Sequence, residues 1–148
     1  MTAKDMTLWQ VIDYLGSHVP LRLEKIEQLF ELTLSKLDSS NPSVTFWEGR
    51  DGFLQNNVRV SRIVLGVRNN DEQDPGMLTL NVSDKCLKLD DIKNKYGELA
   101  MAGAPRGRSE DEETTFEAKK ILWGKVVFGF AVRNPDCLSS VGIGAKKK

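Results

Sequence analysis

At Val44 the hydrophobic period of this chain changes, and that change constrains the fold more than any motif does. Before it, Leu8, Val11, Ile12 and Leu15 recur at i, i+3, i+4 and i+7, the stripe that one helix face needs. After it, Val44-Thr45-Phe46-Trp47 and the β-branched run Val58 to Arg68 read as strands. Leu78, Leu80 and Val82 alternate with polar residues, because successive strand side chains point to opposite faces. A chain that starts helical and continues strand-like belongs to the α+β class.

Local signals place the elements. Thr7 with Gln10 three positions on is a capping box, and Gly16 suits the left-handed position that ends a helix. Pro20 opens a second helix, with Leu23, Ile26, Leu29, Phe30, Thr33, Leu34 and Leu37 as its stripe. The run from Asp38 to Pro42 stops it. Arg50-Asp51-Gly52 is a tight-turn signal, and the alternation slips around Ser61-Arg62-Ile63, which suggests a bulge or a two-sided burial. Asn69 to Gly76 is a polar loop. A third helix spans Leu89 to Tyr96, with Asp90 and Asp91 in its first turn and Gly97 at its end. The stretch 100–115, rich in Gly, Ala, Pro and charge, is read as a mobile loop. Residues 116–123 and 125–132 form a hairpin around Gly124, and Leu138, Val141 and Ile143 a last strand. Lys146 to Lys148 is a basic tail. The expected order is ααβββαβββ: two N-terminal helices on a twisted, mainly antiparallel sheet, with one further short helix, in a single domain over 1–148.

Composition narrows the function. Lysine plus arginine equal aspartate plus glutamate, 21 each, so the basic excess of a nucleic-acid binder is missing. No apolar run reaches the roughly 18 residues of a membrane span, and residues 1–5 lack the apolar stretch of a signal peptide. A cytoplasmic location is expected, with the periplasm as the alternative if a leader has been removed. Cys86 and Cys137 lie 51 positions apart, which excludes a CxxC motif; they read as buried free thiols, with a disulfide as the minor alternative.

Chemistry-bearing constellations are sparse. His18 is the single histidine and sits in the turn after the first helix, where it reads as a polar turn residue. No GxSxG occurs, and neither cysteine has a catalytic context. Asp90 and Asp91 are adjacent, so on a helix they diverge by about 100° and cannot face each other. The acidic run Glu110-Asp111-Glu112-Glu113 lacks the alternating ligands and central glycine of a calcium loop and reads as solvated. The glycines around Gly97 and Gly103 lack the lysine and context of a phosphate loop. Asn81-Val82-Ser83 matches a glycosylation sequon, but on a core strand. No catalytic residue, cofactor or metal ligand is assigned, and the chain reads as a non-enzyme.

Binding residues are easier to nominate. Trp47, Arg50 and Asp51 bracket a strand end, and tryptophan and arginine are enriched in binding hot spots. Arg106, Arg108, Glu110 and Asp111 make the 100–115 stretch strongly dipolar, a device that steers a charged partner. Trp47 and Trp123 also suit plugs at the ends of the core.

The two N-terminal helices, the strand meander, the helix ending in Tyr96-Gly97 and the Trp123-Gly124…Phe128-Gly129-Phe130 hairpin resemble small bacterial toxin-immunity proteins. That resemblance implies a non-catalytic inhibitor that neutralises a cognate toxin or effector by direct binding. The expected function is therefore a protein-binding module of the immunity or inhibitor type. The alternative is a small-molecule-binding domain with a pocket between helices and sheet, marked by an inward polar residue such as Arg62 or Asn81. An open sheet face or edge strand also suits a homodimer.

Overall fold

A computed structural model describes residues 2–19, 21–38, 43–68 and 76–145. Pro20, the helix stop at 39–42, loop positions 69–75 and the lysine tail 146–148 lie outside the described residues. Within them the α+β class holds, with three α-helices and one antiparallel sheet of eight strands.

Helix α1 (Leu8–Gly16) starts as its capping box dictates. The Thr7 hydroxyl accepts from the Gln10 N–H at 3.2 Å, and the Gln10 amide oxygen accepts from the Thr7 N–H at 2.9 Å. Helix α3 (Leu89–Tyr96) spans the expected residues. The Asp91 carboxylate accepts from the Lys88 N–H at 2.9 Å, and Gly97 leaves the helix at φ 77°.

Helix α2 (Leu23–Phe30) is shorter than its apolar stripe. Glu31 takes the left-handed conformation (φ 55°, ψ 41°) and closes it. The Glu27 carboxylate then accepts the Leu34 N–H at 2.8 Å, which turns the chain away from the helix axis. Leu34 is buried all the same, and Ser35–Lys36 form a short edge strand, β1. Periodicity cannot register a side-chain bond that competes with the next helical turn.

The strands are β2 (Val44–Phe53), β3 (Arg59–Arg68), β4 (Met77–Ser83), β5 (Leu99–Gly103), β6 (Glu113–Ala118), β7 (Gly124–Ala131) and β8 (Ser140–Ala145). They lie in the order β1-β2-β3-β4-β8-β7-β6-β5, so two antiparallel meanders are joined where β8 pairs with β4. In that joint Met77 faces Gly144 and Asn81 faces Ser140.

Two turn assignments change. Arg50-Asp51-Gly52 is not a hairpin turn: β2 runs straight through it, with Asp51 at φ 64° and with Arg50 and Gly52 paired to Arg62 and Val60. The bulge expected near Ser61 lies opposite, between Val60 and Arg62. The hairpin closes instead at Asn56 and Asn57, both at φ 64°, below a 2.9 Å bond from the Leu54 N–H to the Val58 carbonyl. Asparagine tolerates that region because its short polar side chain bonds locally. The 100–115 stretch, read as loop throughout, supplies the end of β5 and the start of β6, leaving 104–112 as the connection. Alanine and glycine have little strand propensity of their own; pairing of Leu99 with Ala118 and Met101 with Phe116 overrides it.

The helices cover the central strands on one face of the sheet, while Met101 of edge strand β5 stays exposed on that face. Leu65, Leu78, Ile143 and Val126 form one row across four strands, and Ile63, Leu80, Val141 and Phe128 the next; all are fully buried. Ile12, Leu15, Ile26 and Ile92 cover them. The Tyr96 ring lies 5.5 Å from Phe128 and 5.8 Å from Trp9. Burial of each such side chain contributes about 1.5–3 kcal/mol.

Gly16 has a different role from the one expected. It is the last helical residue and not a left-handed cap, and a Cβ there would lie 2.2 Å from the Trp123 ring. Trp123 thus packs directly on helix backbone. The cysteines are also a correction: Cys86 and Cys137 form a disulfide, although Cys86 is exposed. They meet because the β4–α3 connection runs beside the β7–β8 connection, where the Leu138 N–H donates to the Leu87 carbonyl at 2.7 Å. Spacing in the sequence carries no trace of that adjacency.

Two measurements follow. Gly16→Ala raises helix propensity by up to about 1 kcal/mol, yet overpacks Trp123, which costs about 1–3 kcal/mol. Urea unfolding is expected to show net destabilisation; a stabilised variant would mean Trp123 does not seat there. Thiol titration of the denatured, unreduced protein is expected to find no reactive thiol. Reducing the bridge, which closes a loop of 51 positions, is expected to lower stability by up to about 4 kcal/mol on the chain-entropy account.

Candidate functional site

Among the described residues, no element packs over the face of the sheet turned away from the helices. Strand alternation places Phe46, Glu48 and Arg50 of β2 on it, while Trp47 and Gly49 turn to the helix side. Trp47 is half-buried and packs against the core, so it does not share a surface with Arg50. Trp123 likewise packs on the core. Both tryptophans occupy the plug positions that the sequence allowed them.

Arg50 and Asp51 sit in a charged network on β2 and β3. Arg50 and Arg62 are register partners, which alone would set two like charges side by side. Glu48 lies between them: Arg62 donates to its carboxylate, and the Arg50 Nε is 3.5 Å away. Hydrogen bonding from Arg62, then the nearby charges, holds the Glu48 carboxyl below the usual carboxylate range despite some desolvation. Asp51 pairs with Arg59. Arg62 is therefore on the open face and exposed, and Asn81 is half-buried beside it in the β3–β4 register. Among the described residues neither points into the helix–sheet interface, which holds the hydrophobic core.

The charges of the 104–112 connection are at the opposite edge of the sheet, next to β5 and β6. Here the acidic run disperses into structural roles. Glu112 accepts the backbone N–H groups of Arg106 and Ser109 at 2.9 Å each, and that of Arg108 as well. These bonds, led by Arg106, depress its pKa. Asp111 pairs with Arg133, and the Glu110 carbonyl accepts the Arg133 N–H at 3.0 Å. Glu113 accepts the Ser140 hydroxyl at 2.8 Å. The Arg106 and Arg108 side chains project outward and are exposed. The candidate residues thus fall into three places: Trp47 in the core, Arg50 and Asp51 near one sheet edge, and Arg106, Arg108, Glu110 and Asp111 at the other.

His18 stacks on Tyr14 with ring centroids 4.1 Å apart, and its Nδ1 is 2.8 Å from the Tyr14 carbonyl. A carbonyl only accepts, so Nδ1 carries the proton, and the ring serves as a helix-end residue. Among the described residues no three His, Cys, Asp or Glu side chains converge as metal ligands do.

Between the two charged regions, the open face carries a groove of about 670 Å³. Met77, Thr79 and Gly144 lie at its floor, with Phe46 and Val64 on one side and Glu117, Lys119 and Lys125 on the other. Periodicity did not reveal it, because it arises where β2, β3, β4, β6, β7 and β8 come together. A hint was present: Gly66 and Gly144 line the groove at strand positions where an ordinary outward residue would stand.

The depressed Glu112 pKa has a definite sign. Its contribution to loop order is present above the ordinary carboxylate pKa and is lost as pH falls through the lower folded value. The Arg106, Arg108 and Ser109 amide resonances are expected to shift together in an NMR titration toward acid, with a midpoint below that of an unperturbed glutamate. Independent midpoints, or one in the ordinary range, would contradict the cradle. No protein-family model, curated protein or solved structure matches the chain.

Proposed function

We propose that this protein is a non-catalytic, protein-binding module of the inhibitor or immunity type, which engages its partner through the open sheet face. One observation carries the reading: the helices cover the central strands on one side of an eight-stranded sheet, while the other side presents, among the described residues, a groove flanked by an exposed charged network. A rigid sheet with pre-organised charges is suited to binding, since little side-chain order remains to be lost on association. The Arg50–Glu48–Arg62 network offers two guanidinium groups to one carboxylate, so it favours an acidic partner surface and fast, salt-sensitive encounter. The exposed Arg106 and Arg108 provide a second contact at the far edge.

The bridge supports a reading of compartment. Disulfides persist in oxidising surroundings and are rare in the cytosol, so the Cys86–Cys137 pair supports the periplasmic or exported alternative over the cytoplasmic one. Among the described residues no helix is long and apolar enough to cross a membrane.

The test is capture with the tagged protein at low salt, followed by titration of the recovered partner. One stoichiometric partner is expected, with any toxic activity abolished at one equivalent. Arg50→Glu with Arg62→Glu is expected to weaken binding by about tenfold or more while leaving the circular dichroism spectrum unchanged, since charge reversal at a complementary interface costs a few kcal/mol. A partner held equally well by that variant would move the interface off this face. Failure to recover any partner at low salt would overturn the reading.

A further inference from the structure

The groove on the open face has a chemistry of its own, separate from the arginine network that the partner reading uses. Its volume of about 670 Å³ falls within the roughly 300–1,000 Å³ of small-molecule sites. Glycines create it. A Cβ at Gly66 would lie 3.1 Å from the Phe46 ring, and one at Gly142 would lie 2.6 Å from the Met77 methyl. Phe46 and Met77 therefore lie across glycine backbone instead of meeting side chains that would fill the face. The result, among the described residues, is an apolar floor left uncovered, with Met77 41% exposed.

One wall is charged. Lys119 and Lys125 both line it, against the single carboxylate of Glu117, whose Oε1 is 3.7 Å from the Lys125 Nζ. Lys119 has no side-chain ion pair among the described residues. Arg68 lines the groove as well and has an interaction of its own. The Thr79 hydroxyl on the floor and the charged wall make the lining nearly as polar as it is apolar, so a wholly apolar ligand is disfavoured, because it would leave those groups unpaired. An added peptide strand is also disfavoured, because strand addition needs a sheet edge and the groove is floored by strands paired on both sides.

We infer that the groove binds a small amphipathic anion, an apolar chain carrying one carboxylate, with the chain on Phe46, Val64 and Met77 and the head group at Lys119 and Lys125. The inference does not rest on the partner reading.

The experiment is displacement of the fluorescent probe anilinonaphthalene sulfonate from the full chain by dodecanoate or by dodecyltrimethylammonium, both below their micelle concentrations. One saturable site is expected, with dodecanoate displacing the probe at about five- to tenfold lower concentration, the preference that two partly solvated lysines supply. Lys119→Glu with Lys125→Glu, both exposed positions, is expected to abolish or invert that preference. Thr79→Trp, rising from the floor, is expected to remove the site. Arg50→Glu with Arg62→Glu is expected to leave displacement unchanged, so failure here and failure of partner capture are separate results. Absence of a saturable site, equal displacement by both head groups, or a preference that survives the lysine reversal would overturn the proposal.

Discussion

Everything in this fold depends on the pairing of β4 with β8. Each meander alone is a sequence-local structure with one unfinished edge. Five register pairs, from Met77–Gly144 to Asn81–Ser140, join those edges into one sheet. The core rows that the helices cover exist only across that joint, since Leu78 and Leu80 come from one side and Ile143 and Val141 from the other. The groove has the same origin: its floor combines Met77 and Thr79 with Gly144. Core and candidate ligand site are thus the two faces of a single long-range pairing. Such contacts cost more loop-closure entropy than a hairpin and form late in folding.

Much of the architecture was legible because it rests on local chemistry. The Thr7–Gln10 box, the Leu89–Tyr96 helix with Gly97 after it, and the bulge at Ser61 are all short-range effects, and each lies where its residues indicated. What escaped was set by contacts between distant segments. The Glu27–Leu34 bond cuts α2 short, the Trp123 ring claims the space above Gly16, and β6 draws Leu99–Gly103 into the sheet. The disulfide belongs to the same group, because its two cysteines approach only through the β4–β8 joint.

The candidate site was less legible than the fold. Residue type drew attention to Arg50, which the structure places in an exposed ion-pair network, but could not assign sides of the sheet. One residue of offset along a strand decides between core and solvent, and it sends Trp47 to the core and Glu48 to the arginines. The acidic run was read as a solvated loop, whereas three of its members hold specific partners: Glu112 the backbone of its own loop, Asp111 the Arg133 side chain and Glu113 the Ser140 hydroxyl. The groove had no sequence signature beyond a set of strand glycines, because a cavity is defined by what neighbouring strands leave unfilled.

The position of the Cys86–Cys137 bridge has one more consequence. The exposed connection 104–112 lies wholly inside the covalent ring that the bridge closes. A protease that cuts this connection opens the ring without separating the chain. Both fragments stay linked, and β8 keeps its place beside β4. Wherever proteases reach it, the protein can be nicked at this exposed turn and still hold its sheet together.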